Sequence, residues 1–540
     1  MNEASLAASS TDVIDILIDE ARDKVNARES QLAILLLNRL RQTKGDVLAP
    51  RQLFRALTNL GAANLNLRNV AVAAEYFLKA GPLQPNDETG QINIVLAHHL
   101  LGQDEEAHRL ASTLLVQCPY SARLLSLWIM SAPPEKSFEE LEAAVAPTLR
   151  KEAQIASALS QLALKAGDTN LAIMYAQNAV ADKPDWAQLH LVLAQSRFAR
   201  VIFAEGRSAP LSHSDRIELL EQTNTSAERA YHLARSEKDA YIVSQARALQ
   251  VDIALLDGRK EDAERLAIEC LSSCPDEPSG YVATAQVAFS HGRADQGIRL
   301  LEQAYSLGKP PLTLVFMLGQ SLMQRGTDLD VQRAGNILTA ADFHRESLEL
   351  KEPIGVLAIQ ALIRARRFSE AVEYLSRCGS FITSALARAL EGYIALKEQD
   401  GESADRLLTE SLALIVADEN DAVSDFLARN LIQVGRLLDA LPLLQSLFES
   451  QIPQFDPGLL LDCAARLRRD DVVLSTCQTL YDRGVRDWDL QEFEIQYLQQ
   501  YDYDKAIRKA ADIHSRKPRP SRCPTSVGDP VDEGQRKFTS

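Results

Sequence analysis

The stretch Leu57–Pro85 reads LTNLGAANLNLRNVAVAAEYFLKAGPLQP and predicts two short antiparallel helices. Gly61 lies in the first predicted helix, and Asn69 marks the turn that follows it. Pro85 ends the second helix, in which small and large apolar residues recur at helical spacing, namely Ala73, Phe77 and Ala80. Because small residues let two helices approach closely while large ones fill the space between pairs, this pattern favours stacked helix pairs.

The same pattern returns along most of the chain. The small residue that opens each second helix recurs at steps close to 34 residues, with a single longer step of 55 between Ala172 and Ala227. The full series is Ala73, Ala107, Leu141, Ala172, Ala227, Ala263, Gly297, Ala334, Ala371, Ala404, Ala440, Val473 and Ala506. Such a period predicts a repeat array rather than a single compact core.

The repeats resemble the tetratricopeptide repeat (TPR), whose period is about 34 residues. One of the better matches has Gly258-Arg259 at the turn, followed by Ala263, Ala267, Cys270 and Pro275. The resemblance covers about residues 50–518. It implies an all-α, right-handed α-solenoid, a superhelix of about 13 helix-turn-helix repeats. It also implies a concave groove that is lined by the first helices and holds an extended peptide or a partner helix.

Departures from the period suggest the organisation of the chain. Residues 1–50 read as an atypical N-terminal helix pair or cap, and residues 51–205 as TPR-like repeats with a degenerate one at 121–150. We expect an insertion at 206–226, within which Asp215 would cap an extended helix. Further repeats follow at 227–518, and the segment 519–540 is rich in proline and basic residues and is predicted to be disordered.

Composition excludes several classes of protein. The formal net charge is −16, which disfavours a nucleic-acid binder, and no basic stripe with interleaved aromatic residues occurs in the array. The seven cysteines are too sparse and irregular for a disulfide framework. No signal peptide is apparent, and no apolar stretch is long enough to span a bilayer. We therefore expect a cytoplasmic protein of bacterial type, with no membrane association.

Motifs for catalysis or cofactor binding are not recognisable in the sequence. Phosphate-binding glycine loops and paired CxxC or HExxH metal spacings do not occur. Cys270 and Cys274 share a helix face but lack two further ligands nearby, so core packing is the better interpretation. His98 and His99 are adjacent and would point in divergent directions on a helix. The sequence therefore predicts a protein that is not an enzyme and that needs no cofactor or metal.

The TPR resemblance places one residue of each first helix toward the groove, just after a small close-packing residue. Three consecutive repeats carry an amide there, at Gln286, Gln320 and Gln360. Four residues earlier an apolar strip occurs, at Val282, Phe316 and Val356. A ladder of amides can pair with an extended peptide backbone because an amide both donates and accepts hydrogen bonds. The alternative interpretation is that glutamine is a good helix former on a solvated face.

Other groove positions bear on the chemistry of the ligand. Tyr393 occupies the equivalent position in the following repeat, and Arg364 and Lys397 lie beside these positions, where they could pair with acidic ligand groups. The basic clamp of chaperone-binding TPR domains needs lysine and asparagine at matched groove positions. Here Thr58 and Ala62, or Ala248 and Asp252, stand there instead, which disfavours docking through that clamp.

Two function classes remain open from the sequence. The first is a non-catalytic scaffold or adaptor whose partner is a protein or peptide. The alternative is a regulatory or substrate-recruiting arm of a larger or separately encoded enzyme, of glycosyltransferase or nuclease type. Self-association through an uncapped end is a weaker third option. Partner identity, pathway and oligomeric state are not readable from the residues.

Overall fold

The computed structural model describes residues 3–44, 48–133, 136–205, 211–308, 310–341, 350–379, 381–415, 421–450, 455–485, 488–502 and 504–509. All the regular elements of these residues are helices, and they form two compact units, residues 1–383 and 384–540. The expected tail at 519–540 lies outside the described residues, as do positions 206–210 of the expected insertion.

Unit 1 contains twenty α-helices among its described residues. In chain order they are α1 (Glu3–Asn26), α2 (Ser30–Lys44), α3 (Pro50–Asn66), α4 (Val70–Ala80), α5 (Glu88–Leu100), α6 (Asp104–Leu115), α7 (Ala122–Met130), α8 (Phe138–Ala144), α9 (Ala153–Lys165), α10 (Thr169–Asp182), α11 (Ala187–Glu205), α12 (His213–Ser236), α13 (Ala240–Leu256), α14 (Lys260–Ser273), α15 (Pro278–Ser290), α16 (Ala294–Ser306), α17 (Leu312–Arg325), α18 (Asp328–Thr339), α19 (Lys351–Arg364) and α20 (Phe368–Arg377). Short 3₁₀ turns occupy Gly81–Leu83 and Leu149–Lys151.

Unit 2 continues the same arrangement. Its described helices are α21 (Ser384–Lys397), α22 (Gly401–Ile415), α23 (Asp421–Gln433), α24 (Leu437–Glu449), α25 (Pro457–Arg466), α26 (Asp470–Asp482) and α27 (Trp488–Tyr501). Within each unit nearly every helix packs against the next one in sequence, as expected of helical hairpins stacked side by side. Both units are therefore all-α solenoids.

The recurring small residue predicted from the sequence occupies an equivalent, buried position in successive repeats of the structure. All thirteen members of that series are buried, from Ala73 to Ala506. In ten of the second helices the series residue is the fourth residue of the helix, as Ala73 is in α4 and Ala263 in α14. The exceptions are α12, which is longer, α18, in which Ala334 is the seventh residue, and Ala506, which follows α27. The periodicity therefore reports a repeated helix–helix contact.

The opening hairpin shows how close this contact is. A Cβ atom added at Gly61 of α3 would lie 2.5 Å from the Phe77 ring of α4. Any side chain at position 61 would thus push the aromatic ring out of the interface, in which Phe77 is 3% exposed. The small residue of the first helix and the large residue of the second are packing partners, as the sequence pattern predicts.

The longer step in the period corresponds to long helices rather than to a long loop. Helix α11 has 19 residues and α12 has 24, so most of the expected insertion at 206–226 is the first part of α12. The residue that caps α12 is Ser212, whose side chain accepts a hydrogen bond from the backbone N–H of Asp215. The expectation that Asp215 itself is the cap is wrong, because the helix begins two residues earlier.

Contacts between residues far apart in the chain join the beginning of unit 1 to its middle. Nη2 of Arg28, in the α1–α2 turn, lies 2.8 Å from Oδ2 of Asp239, just before α13. The guanidinium of Arg68, in the α3–α4 turn, lies 3.5 Å from the ring centroid of Tyr241 in α13. We call these four residues the clasp. Unit 1 thus bends far enough for its first two helix pairs to touch the start of α13.

Both clasp arginines occupy backbone positions that favour glycine. Their φ angles are 62° at Arg28 and 59° at Arg68, whereas the equivalent turn after α5 has Gly102 at 71°. Arg366, after α19, has a φ of 58° as well. A glycine at either clasp position would relieve the strain of the positive φ angle and would also remove the clasp side chain.

We therefore expect the double substitution Arg28→Gly/Arg68→Gly to separate the clasp without unfolding unit 1. Spin labels at Gln31 and Glu237, in a Cys118→Ser/Cys523→Ser background, would report the change by double electron–electron resonance. The distance distribution should broaden and move to longer values, and 1 M salt should do the same to the parent chain because it screens the ion pair. Arg366→Gly is the matched control and should leave the distances unchanged. Unaltered distances in the double variant would show that the clasp does not hold this contact.

Candidate functional site

First helices of neighbouring pairs contact each other, as α13 does with α15 and α17 with α19. Each has a buried residue that faces its partner helix, and the next residue is rotated by about 100° around the helix axis. The buried residues are Val251, Ala285, Gly319 and Ile359. The residues that follow them are Asp252, Gln286, Gln320 and Gln360. We call the accessible side of these four helices the first-helix face.

The predicted amides and the apolar strip are all at least partly accessible. Gln320 is exposed, and Gln286 and Gln360 are half-buried. The apolar strip consists of three half-buried residues, Val282, Phe316 and Val356. In the described part of the chain no hydrogen bond engages the Gln320 or Gln360 side chain. The face therefore offers two unoccupied amides beside partly buried apolar side chains.

Gln286, the first of the three amides, is already engaged. Its side chain forms a hydrogen bond with the carboxyl group of Asp252 on the neighbouring first helix α13. Burial raises the pKa of Asp252 to about 7, against an ordinary value of 3.8, and the hydrogen bond from Gln286 opposes this rise only in part. Asp252 therefore exchanges its proton near neutral pH.

Arg364 is used within the array. Its Nη1 donates to the carbonyl oxygen of Met323 at 3.1 Å, in the last turn of α17. That helix ends at Arg325 and is capped by Gly326, which has a φ of 74°. A cation at this end satisfies a carbonyl that has no partner in its own helix and complements the helix dipole. An acidic ligand would have to bind the remaining N–H groups of Arg364 or displace this contact.

Tyr393 and Lys397 lie in unit 2, whereas the amides lie in unit 1. The Tyr393 ring packs edge-to-face against Phe426 of α23, with centroids 5.7 Å apart. Lys397 places Nζ 5.0 Å from the Tyr393 ring centroid and donates to Oε1 of Gln433 at 3.3 Å. These residues link first helices α21 and α23, and the lysine is engaged with both.

Cys270 and Cys274 have the environment of packing residues. Cys270 is fully buried, and its Sγ lies 3.4 Å from the carbonyl oxygen of Ser244. Burial raises the pKa of the Cys274 thiol to about 11. Across the described residues no group of three or more His, Cys, Asp or Glu side chains is placed to hold a metal ion. Nor does the described chain contain a helix long and apolar enough to cross a membrane.

The repeat is defined by stacked hairpins whose first helices are in contact. In most of these hairpins a small residue is buried near the start of the second helix. The protein is TPR-like. From α3 onward its described helices follow the expected pairing except at α7, which packs on α6 and α9 rather than on α8, and the N-terminal pair α1–α2 packs on α3 in the same way. The all-α solenoid predicted from the sequence is confirmed.

Solved structures similar to this chain include TPR proteins at low sequence identity. The Thermus thermophilus TPR protein TTC0263 is 19% identical, with 41% of this chain and 99% of that chain covered and a TM-score of 0.29. A Parabacteroides merdae TPR protein is 12% identical, covers 58% of this chain and 99% of that one, and has a TM-score of 0.32. Yeast Tom70 is 14% identical, with 86% and 99% covered and a TM-score of 0.37.

No protein-family model matches the sequence, and no curated protein does either. The hairpin geometry of the chain itself is what makes it TPR-like. Periodicity could not reveal the contacts made by Arg364, Lys397 and the clasp. It did place Asp252 at a groove position, but burial of that carboxyl group depends on helices packed around it.

Proposed function

We propose that this TPR-like protein is a non-catalytic interaction scaffold that holds an extended peptide or a partner helix against its first helices. The observation that supports this function most directly is the arrangement on α15, α17 and α19. Each helix presents an accessible amide one residue after its buried contact residue, and an accessible apolar side chain one turn earlier. Peptide backbones are recognised by such alternating hydrogen-bonding and apolar groups.

The first-helix face also suits a ligand on energetic grounds. Unoccupied amides can exchange water for a peptide backbone at little desolvation cost, since both donors and acceptors are then satisfied. Half-buried apolar side chains beside them gain further burial when a ligand side chain covers them. The face therefore supplies orientation through the amides and affinity through Val282, Phe316 and Val356.

A random 12-residue peptide library displayed on phage tests this function. Selection against the parent protein is expected to enrich a family of related peptides. The triple variant Gln320→Ala/Gln360→Ala/Phe316→Ala should bind these peptides about tenfold or more weakly, because it loses two backbone contacts and one apolar contact. A matched control is available on second helices α16 and α18, where three glutamines are exposed: Gln296, Gln303 and Gln332.

The control variant Gln296→Ala/Gln303→Ala/Gln332→Ala should bind the selected peptides as the parent does. Fluorescence anisotropy with labelled peptides measures both variants, and circular dichroism confirms that each remains folded. Equal weakening in the two variants, or none in either, would contradict binding on the first-helix face.

A further inference from the structure

The outer side of the first helix pair, α1–α2, carries four large apolar side chains that are mostly accessible. Val13 and Ile16 of α1 are 56% and 64% exposed, and Leu32 and Leu35 of α2 are 53% and 68% exposed. The opposite side of the pair is buried against α3. A pair with no further pair stacked on it ordinarily presents a polar outer side to water, so this apolar cluster indicates an interaction surface.

Both helices carry the same pattern on this side, with charges of opposite sign. Each has an apolar residue, a second one three positions later, and an exposed charged residue four positions after that. The charged residue is Glu20 in α1 and Arg39 in α2. Positions spaced in this way lie on one side of a helix. We call the six residues the outer face: Val13, Ile16, Glu20, Leu32, Leu35 and Arg39.

The two charges of the outer face are not used within the described part of the protein. Asp15 and Asp19, on the side of α1 toward α3, each lie 2.6 Å from the Arg55 guanidinium. Glu20 and Arg39, in contrast, have no ion-pair partner among the described residues. A charge of opposite sign on a partner can therefore approach either of them without displacing an existing ion pair.

The apolar pairs and the charges alternate around the outer face. Because α1 and α2 are joined by a short turn, they run in opposite directions. Glu20, six residues before the end of α1, therefore lies beside Leu35, five residues after the start of α2. Ile16 lies beside Arg39 by the same count. With a rise of about 1.5 Å per residue and axes about 8–10 Å apart, the two apolar pairs occupy opposite corners of a four-sided patch, and the two charges occupy the other corners.

We propose that the outer face binds the outer face of a second copy of this protein, with Glu20 of each copy paired to Arg39 of the other. The two-fold axis runs along the apolar diagonal, so that each apolar pair covers its own counterpart and each acid meets a base. An axis along or across the helices would place charges on apolar side chains, and one along the charged diagonal would bring like charges together. The face is its own complement, which favours a second copy over an unrelated protein.

Sedimentation velocity from about 1 to about 100 µM protein tests the inference. A contact between two helix pairs is small, so we expect a dimer that forms in the micromolar range. Glu20→Arg and Arg39→Glu should each weaken dimerisation about tenfold or more, because each sets like charges together at two symmetric places. An equimolar mixture of the two variants should dimerise as the parent does, since every acid of one variant then meets a base of the other.

Leu35→Glu and Leu329→Glu provide the apolar test and its matched control. Leu329, in α18, is 65% exposed, close to the 68% of Leu35. Leu35→Glu should remain monomeric over the whole range, whereas Leu329→Glu should dimerise as the parent does, and circular dichroism confirms that each is folded. A parent that stays monomeric, a dimer that survives Leu35→Glu, or a mixture of the charge variants that fails to dimerise overturns the inference. The peptide-binding function is tested on other helices and stands or falls separately.

Discussion

Replacing Gly280 by leucine is expected to destabilise the array by about 3 kcal/mol. A Cβ at this position of α15 would lie 3.0 Å from Cα and 3.1 Å from the backbone nitrogen of Leu271 in α14. Because these are backbone atoms, no side-chain rotation can make room, and α14 and α15 must separate. In a solenoid each repeat depends on its neighbours, so the damage should reach the adjoining hairpins.

Gly335 of α18 provides the matched comparison within the same unit. A Cβ there would meet its nearest neighbours at 3.6 Å, an ordinary van der Waals distance. Gly335→Ala should therefore stabilise the protein by about 0.5–1 kcal/mol, since alanine loses less backbone entropy in a helix. Thermal unfolding followed by circular dichroism measures both variants. A Gly280→Leu variant that melts with the parent would show that α14 and α15 do not pack this closely.

The second large effect concerns Asp252, whose contribution to the stability of the fold depends on pH. With a folded-state pKa of about 7 against an ordinary 3.8, the folded protein retains a proton that the unfolded chain has released. Stability therefore falls as pH rises from about 4 to about 7, and the loss is complete above that range. Asp252→Asn removes the titrating group. At pH 8 it should be more stable than the parent by about 2 kcal/mol, after allowance for partial exposure.

The contribution of Asp330 to stability has the opposite pH dependence, so Asp330 serves as the comparison. Hydrogen bonds from the Arg325 guanidinium hold the pKa of this buried carboxyl at about 2, below its usual 3.8. Its stabilising contribution is thus present above about pH 4 and is lost as pH falls toward 2. Asp330→Asn should cost about 2 kcal/mol at pH 7. Unfolding midpoints of both variants at pH 4, 6 and 8 distinguish the two. A destabilised Asp252→Asn at pH 8 would contradict the burial of that carboxyl.

The sequence predicts this fold because its signal is local and repeated. A buried small residue such as Ala73 or Ala263 needs only the geometry of its own hairpin, and the period repeats that requirement along the chain. Which residue caps α12 is harder to predict from the sequence. Ser212 and Asp215 both suit a helix start, and the packing of the first turn decides between them.

The chemistry of the candidate site was less predictable. Arg364 appears in the sequence as a free groove cation, but its guanidinium reaches a carbonyl 41 residues earlier in the chain. The sequence places Asp252 at a groove position, but it gives no sign of the burial that α15 and the other neighbouring helices impose on its carboxyl group. Long side chains take their partners from whichever backbone lies nearest, and periodicity does not specify that neighbour. The clasp between Arg28 and Asp239 is unpredictable for the same reason.

Site-specific photo-crosslinking provides the most direct test of the claim that ligands bind the first-helix face. A benzophenone amino acid is introduced at Gln320 of α17 or, as the control, at Gln332 of α18, both of which are exposed. Labelled peptides from the phage selection are then added and irradiated. Crosslinking should be strong at position 320 and close to background at position 332. Equal yields at the two positions, or a higher yield at 332, would contradict binding on this face.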